Sequence, residues 1–186
     1  MTNSYYNPSP SDLKDELLTH VDENDNVISS VRREECHNES SKPWHRTIHV
    51  YLLNSKGELL LTKRSTTKDT SPNQIIATGA GHVRYGEDPL TTAEREMFEE
   101  LGLDVKLKFI KKYKIDYGFE REFIYVYFST VDSKPVLNSV EVAEVIYVPL
   151  DEFKDRFVKR EIFFAPGSQE VCEMLIADGL LERENF

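Results

Sequence analysis

Between positions 81 and 103 the chain reads GHVRYGEDPLTTAEREMFEELGL, and no other stretch constrains the fold so strongly. Asp88 is a natural N-cap, Pro89 suits the first helical position, and Gly102 suits the position just past a helix end. A helix over 89–101 is therefore predicted. Leu90, Ala93, Met97 and Leu101 recur at helical spacing and mark the core side. Glu96, Glu99 and Glu100 stand at i, i+3 and i+4, on one adjacent face. Packing the apolar stripe crowds these three carboxylates into one patch, where they repel one another. Taken alone, an E-x-x-E-E is usually a solvated acidic face. The alternative is a seat for divalent cations, because Mg²⁺ and Mn²⁺ take hard oxygen ligands and share them with phosphates.

Strand candidates surround this helix. LLTHVDENDNVISSV reads as a hairpin turning at 23–26. Asp22, Asn24 and Asn26 match the start of a calcium loop, but Val27 holds the glycine position and Arg33 the final acid position, so that reading fails. A second hairpin runs over 45–53 and 58–64, with Asn54 and Gly57 in its turn. IIATGAGHV is a short strand breaking into a glycine-rich bend. Strands are expected over 104–115, 121–131 and 141–148, and helices over 149–157 and 167–178. The pattern predicts a mixed α+β or α/β sandwich: a single domain over 17–186 behind a flexible N-terminal tail, 1–16.

The 186 residues carry a net charge of −10. Both a nucleic-acid coat and an anionic-membrane binder need a basic field, so neither partner is expected. A phosphate ligand is compatible with the acid, because metal ions can sit between the two. The first residues lack the basic and apolar regions of a secretory signal, and no apolar run reaches 18 residues. Cys36 and Cys172 form no paired motif, so a reducing cytoplasm is expected.

The helix and its approach fit G-x5-E-x7-R-E-U-x-E-E-x-G-U at every position, U being a bulky aliphatic residue. Seven fixed residues make a chance match rarer than roughly one in ten million at average usage. The segment resembles the Nudix box of the Nudix hydrolases. The resemblance implies an α/β/α sandwich with a mixed sheet and Mg²⁺- or Mn²⁺-dependent cleavage of a diphosphate linked to another moiety. By motif position it implies Glu96, Glu99 and Glu100 as catalytic metal ligands, with the Ala80 carbonyl as a further ligand. It also implies a structural ion pair between Glu87 and Arg95, and structural glycines at Gly81 and Gly102. The chemistry agrees: cleaving a phosphoanhydride needs neutralised phosphate charge and an activated water, and bound metals supply both.

Beyond the box, residues from about 17 to 130 resemble the branch that includes isopentenyl diphosphate isomerase. There the resemblance implies a second metal held by His37, His45, His82, Glu120 and Glu122, and a diphosphate gripped by Arg64 and Lys68. Glu120 and Glu122, two apart on a strand, face the same side, as two ligands of one ion must. The isomerase needs a cysteine directly before the box. This chain has Ala80, and neither Cys36 nor Cys172 lies near it. Alanine cannot transfer a proton, so hydrolysis of a nucleoside di- or triphosphate or related diphosphate is the expected activity. Isomerisation of isopentenyl diphosphate and a non-catalytic nucleotide-binding module are the two rivals. Trp44, Tyr85, Tyr117 and Phe119 border the box and offer rings to a nucleobase. The C-terminal EMLIADGLLERENF suits either a homodimer face or a capping helix.

Overall fold

The computed structural model describes residues 15–38, 40 and 42–186. The expected tail therefore lies outside the described residues up to position 14. Glu16, at its end, is tied down: its carbonyl accepts the Arg33 N–H and its carboxylate accepts from Arg84 at 2.7 Å.

Strands β1 (Leu17–Val21) and β2 (Val27–Arg32) form the first hairpin. Asp22 organises its turn by accepting the N–H groups of Asn24 and Asn26 at 2.8 and 2.9 Å. The single turn α1 (Arg33–Cys36) follows, which the residue pattern did not announce. Strands β3 (Trp44–Leu53) and β4 (Glu58–Arg64) are the second hairpin. Its turn is closed by the Asn54 side chain, which accepts the N–H groups of Lys56 and Glu58, with Gly57 at φ 80°. The glycine-rich stretch is two short strands, β5 (Ile75–Ile76) and β6 (Gly79–His82). The chain continues through α2 (Pro89–Leu101), β7 (Lys108–Asp116), β8 (Arg121–Thr130), β9 (Val142–Pro149), α3 (Leu150–Val158) and α4 (Pro166–Ala177). The strand expected from 104 thus begins only at 108; Val105 and Leu107 pack against the core without joining the ladder.

The nine strands form one mixed sheet. Strand β3 is its centre. It runs parallel to β8 from Trp44 to Leu53, and its other edge meets β1, β6 and β4 in turn. Alternation along β3 sorts its side chains between two layers. Ile48, Val50 and Leu52 pack on Ala93, Met97 and Leu101 of α2. Tyr51 and Leu53 join Phe153 and Phe157 of α3 and Val171 and Leu175 of α4. Helices on both faces give the α/β/α sandwich, and α4 caps its core. Leu90 is the exception to the predicted stripe, at 38% exposure. Thr92 takes the buried place in that first turn, its hydroxyl donating to Glu87 at 2.9 Å.

Candidate active site

A cavity of about 540 Å³ opens beside β6, between the N-terminal half of β3, α2 and the start of α4. Local sequence explains how α2 reaches it. The Asp88 carboxylate accepts the N–H groups of Leu90 and Thr91, fixing the helix start, and Gly102 ends the helix at φ 64°. Gly79 and Gly81 lie on β6, between β3 and α2. A Cβ on Gly81 would lie 2.7 Å from the Glu96 Oε1, so the missing side chain is what lets Glu96 reach the strand.

The structure brings the box acids together. Arg95 donates to Glu87 at 3.2 Å, as the resemblance implies, and also to Glu96 at 2.8 Å and Glu99 at 3.0 Å. Glu99 is half exposed, Glu96 largely buried and Glu100 buried. The Glu100 Oε2 is sealed from solvent with no hydrogen-bond donor among the described residues. Burial, with the Glu99 charge added, pushes Glu96 up to about 7. Burial, with the Glu96 and Glu141 charges added, drives Glu100 well above the usual carboxylate range. Mutually repelling carboxylates, one with an oxygen that meets no donor, are a ligand set that a hard divalent cation satisfies. Ala80 lines the same cavity.

Because the clashing atoms belong to a flexible side chain, Gly81→Ala is expected to displace the Glu96 carboxylate rather than unfold the chain. The expected loss in kcat is about 10²-fold, the scale on which roughly 1 Å of misplacement acts. Steady-state rates beside a melting curve check this; an unchanged rate would show that Gly81 does not position Glu96.

A second polar cluster faces the same space. Pairing of β3 with β8 sets His45 beside Glu122, and pairing of β3 with β6 sets Thr47 beside His82. His45, His82, Glu120 and Glu122 each offer a ligand atom, all within 4.8 Å of one another. His37 joins through Glu120, its Nδ1 lying 3.3 Å from the carboxylate. Burial alone would raise Glu120, yet the His45 and His82 rings, 3.2 and 3.7 Å from its Oε1, hold it well below the usual range. Burial and the Glu120 charge push Glu122 up to about 8. Burial would lower His45, but Cys36 and Glu120 raise it well above its ordinary value. Burial brings His82 down to about 4. Cys36, nine positions earlier in the chain, thus lies against His45. It is packed with Leu18 and Val31 and does not line the cavity, so it supplies no thiol where the isomerase's cysteine would stand.

The cationic wall is wider than the resemblance implied. Arg64 and Lys68 line the cavity, Arg64 donating to the Thr70 carbonyl and hydroxyl and Lys68 to Glu141 at 2.8 Å. Arg33 and Arg84 line it too. Arg33 is 4% exposed and grips Asp69 with two bonds, at 2.5 and 3.0 Å. Of the four aromatic candidates, Tyr117 and Phe119 reach the cavity, their rings stacked at 5.6 Å. Trp44 does not; it packs on Phe123 under Lys114 and Arg121. Tyr85 is exposed outside the cavity lining. Residue reasoning passed over Glu141, Phe98 and His49, all on the cavity wall. Glu141 and His49 stand in no motif, Phe98 holds a variable position of the box, and only the tertiary fold collects the three.

Fold and site together define a class of protein. The NUDIX domain model matches residues 43–165, and the chain belongs to the Nudix family as a hydrolase. It is 32% identical over 170 residues to an uncharacterized Nudix hydrolase of Clostridium acetobutylicum, covering 83% of this chain and 81% of that one. It is 35% identical over 143 residues to the isopentenyl-diphosphate Delta-isomerase of Pectobacterium atrosepticum, covering 74% and 79%. The crystal structure of DR0079 from Deinococcus radiodurans superposes with a TM-score of 0.69 at 22% identity, over 86% of this chain and 98% of that one. The MutT protein from Methanosarcina mazei Go1 gives 0.61 at 20% identity, over 74% and 96%. At those identities the two structures speak for the fold alone.

Proposed function

We propose that the chain hydrolyses the diphosphate of a nucleoside di- or triphosphate, or of a related compound X-diphosphate, with Mg²⁺ or Mn²⁺. The observation that carries this reading is the buried, donor-poor Glu100 beside Glu96, at the edge of a cavity lined by Arg33, Arg64, Lys68 and Arg84. Glu96, Glu99 and Glu100, with the Ala80 carbonyl, would hold the cations, which supply charge neutralisation at the phosphate oxygens and activate a water. The chain's own groups do the rest. Arg95 keeps Glu87, Glu96 and Glu99 in register. Arg64 and Lys68 orient the diphosphate by charge-assisted hydrogen bonds. His37, His45, His82, Glu120 and Glu122 would form a second cation seat on the facing wall.

A reducing cytoplasm suits the two free, buried cysteines. Among the described residues no helix is long and apolar enough to cross a membrane. The direct test is phosphate release from a panel of nucleotides, nucleotide sugars and prenyl diphosphates with each metal. Turnover of at least one member is expected; a panel wholly inert with both metals would overturn the proposal.

Isomerisation of isopentenyl diphosphate is the second reading, favoured by the histidine–glutamate cluster and by the Pectobacterium relative. Ala80 removes the thiol that chemistry requires. Rapid formation of the allylic isomer from isopentenyl diphosphate would reverse the ranking.

A further inference from the structure

The cavity wall carries a polar side chain that phosphate chemistry leaves unused. His49 lies on β3, across from Ala80 on β6 and Val126 on β8. It lines the cavity, yet only 6% of its surface is exposed. Its Nδ1 is sealed from solvent and has no hydrogen-bond partner among the described residues. Thr47, two positions earlier, and Tyr117 also line the cavity with hydroxyls that lack a hydrogen-bond partner among the described residues, but both lie within the electrostatic reach of Glu122. No carboxylate plays that part for His49, on which burial alone acts. Buried polar groups in folded proteins are nearly always paired, and an exception on a cavity wall points to a ligand.

We propose that His49 is a specificity-determining residue, its ring hydrogen-bonding a nucleobase attached to the diphosphate, so that nucleoside diphosphates are selected over prenyl diphosphates. This rests on the hydrolase reading given above. Two features select a nucleobase over other polar groups. Tyr117 and Phe119 offer stacked aromatic faces on the same cavity, and Phe98, 56% exposed on α2, adds a third ring. Planar heterocycles use both such faces and edge hydrogen bonds. A prenyl chain uses neither. It would leave the imidazole unpaired, which is the situation in which sites built for polar groups reject apolar analogues.

The test compares kcat and KM for CDP, UDP, ADP and GDP with those for isopentenyl diphosphate, in wild type, His49→Leu and His49→Gln. The wild type is expected to favour at least one nucleoside diphosphate by tenfold or more in kcat/KM. His49→Leu is expected to erase about 10- to 100-fold of that preference through KM, leaving kcat nearly unchanged. His49→Gln, which restores a neutral donor and acceptor, is expected to recover part of it. Equal losses on both substrate types in His49→Leu, or a wild type that prefers isopentenyl diphosphate, would overturn the inference. Should the wild type hydrolyse nothing, the hydrolase reading fails separately. Calorimetric Kd values for the same nucleotides then decide His49: weaker binding in His49→Leu supports it, and unchanged binding overturns it.

Discussion

Glu99→Gln is expected to reduce hydrolysis of the best substrate by about 10²–10³-fold, the loss typical of removing one preorganised electrostatic group from a reacting centre. Folding should scarcely notice. Glu99 is the most exposed of the three helix acids, with 49% of its side chain accessible, and its ion pair with Arg95 at 3.0 Å is partly solvated. Exposed pairs of that kind contribute little, so stability should stay within about 0.5 kcal/mol of wild type. Glu100→Gln should look different. Its carboxylate is buried beside Glu96, and its Oε2 meets no donor among the described residues. Glutamine removes a buried carboxyl that costs the fold whether charged or protonated, so the metal-free variant should melt higher than wild type while its turnover collapses. Rates and melting curves on both variants test the assignment. Retained turnover in Glu99→Gln and Glu100→Gln combined would sink it.

Metal should stabilise this protein, and more so in alkali. Glu96 is pushed up to about 7 and Glu122 to about 8. A carboxylate raised in the fold binds more protons folded than unfolded, so its stabilisation is lost as pH climbs through the folded value. His45, raised well above 6.5, acts in the same direction. His37 and His82 are lowered, and their opposing contribution is complete once pH passes the unfolded value near 6.5. Glu120, held low, is ionised throughout. Between pH 6.5 and 8 the metal-free protein should therefore lose stability. Cations bind the deprotonated carboxylates, so their effect grows over the same interval. At 100 times Kd a ligand adds about 2.7 kcal/mol. For a chain of this length that is roughly 5–10 °C in Tm. Thermal melts with and without Mn²⁺ at pH 6.5 and 8 measure it. A Tm indifferent to metal at pH 8 would mean that the two acidic clusters hold no ion.

What the residues disclosed, and what they concealed, follows from how local each signal is. The helix at 89–101 carries its own caps, and the box spacing is contained in 23 consecutive positions, so both were readable without any tertiary contact. The two-residue spacing of Glu120 and Glu122 is equally local, although β8 begins at Arg121 and Glu120 stands just before it. Bringing those two acids to His45 and His82 requires β3 to pair with both β6 and β8, which no short window encodes. His49 was overlooked for the same reason: a lone histidine amid apolar strand residues reads as core. Glu141 stands just before β9 and meets Lys68 only after the chain has returned across the sheet. Trp44 and Tyr85 show the converse failure, since nearness to the box in sequence does not decide which side of a strand or bend a ring occupies.

Strand β3 is gripped along its full length by β8 and by three successive strands on its other edge. Sliding it by one residue would exchange His45, Thr47 and His49 for Trp44, Arg46 and Ile48. The row of polar side chains therefore behaves like marks on a ruler, spaced about 7 Å apart. Such a gauge cannot stretch to suit a longer visitor. Adapting this enzyme to new chemistry falls instead to the stretches at the rim, 65–74 and 117–119, which can be rewritten without disturbing the measure beneath them.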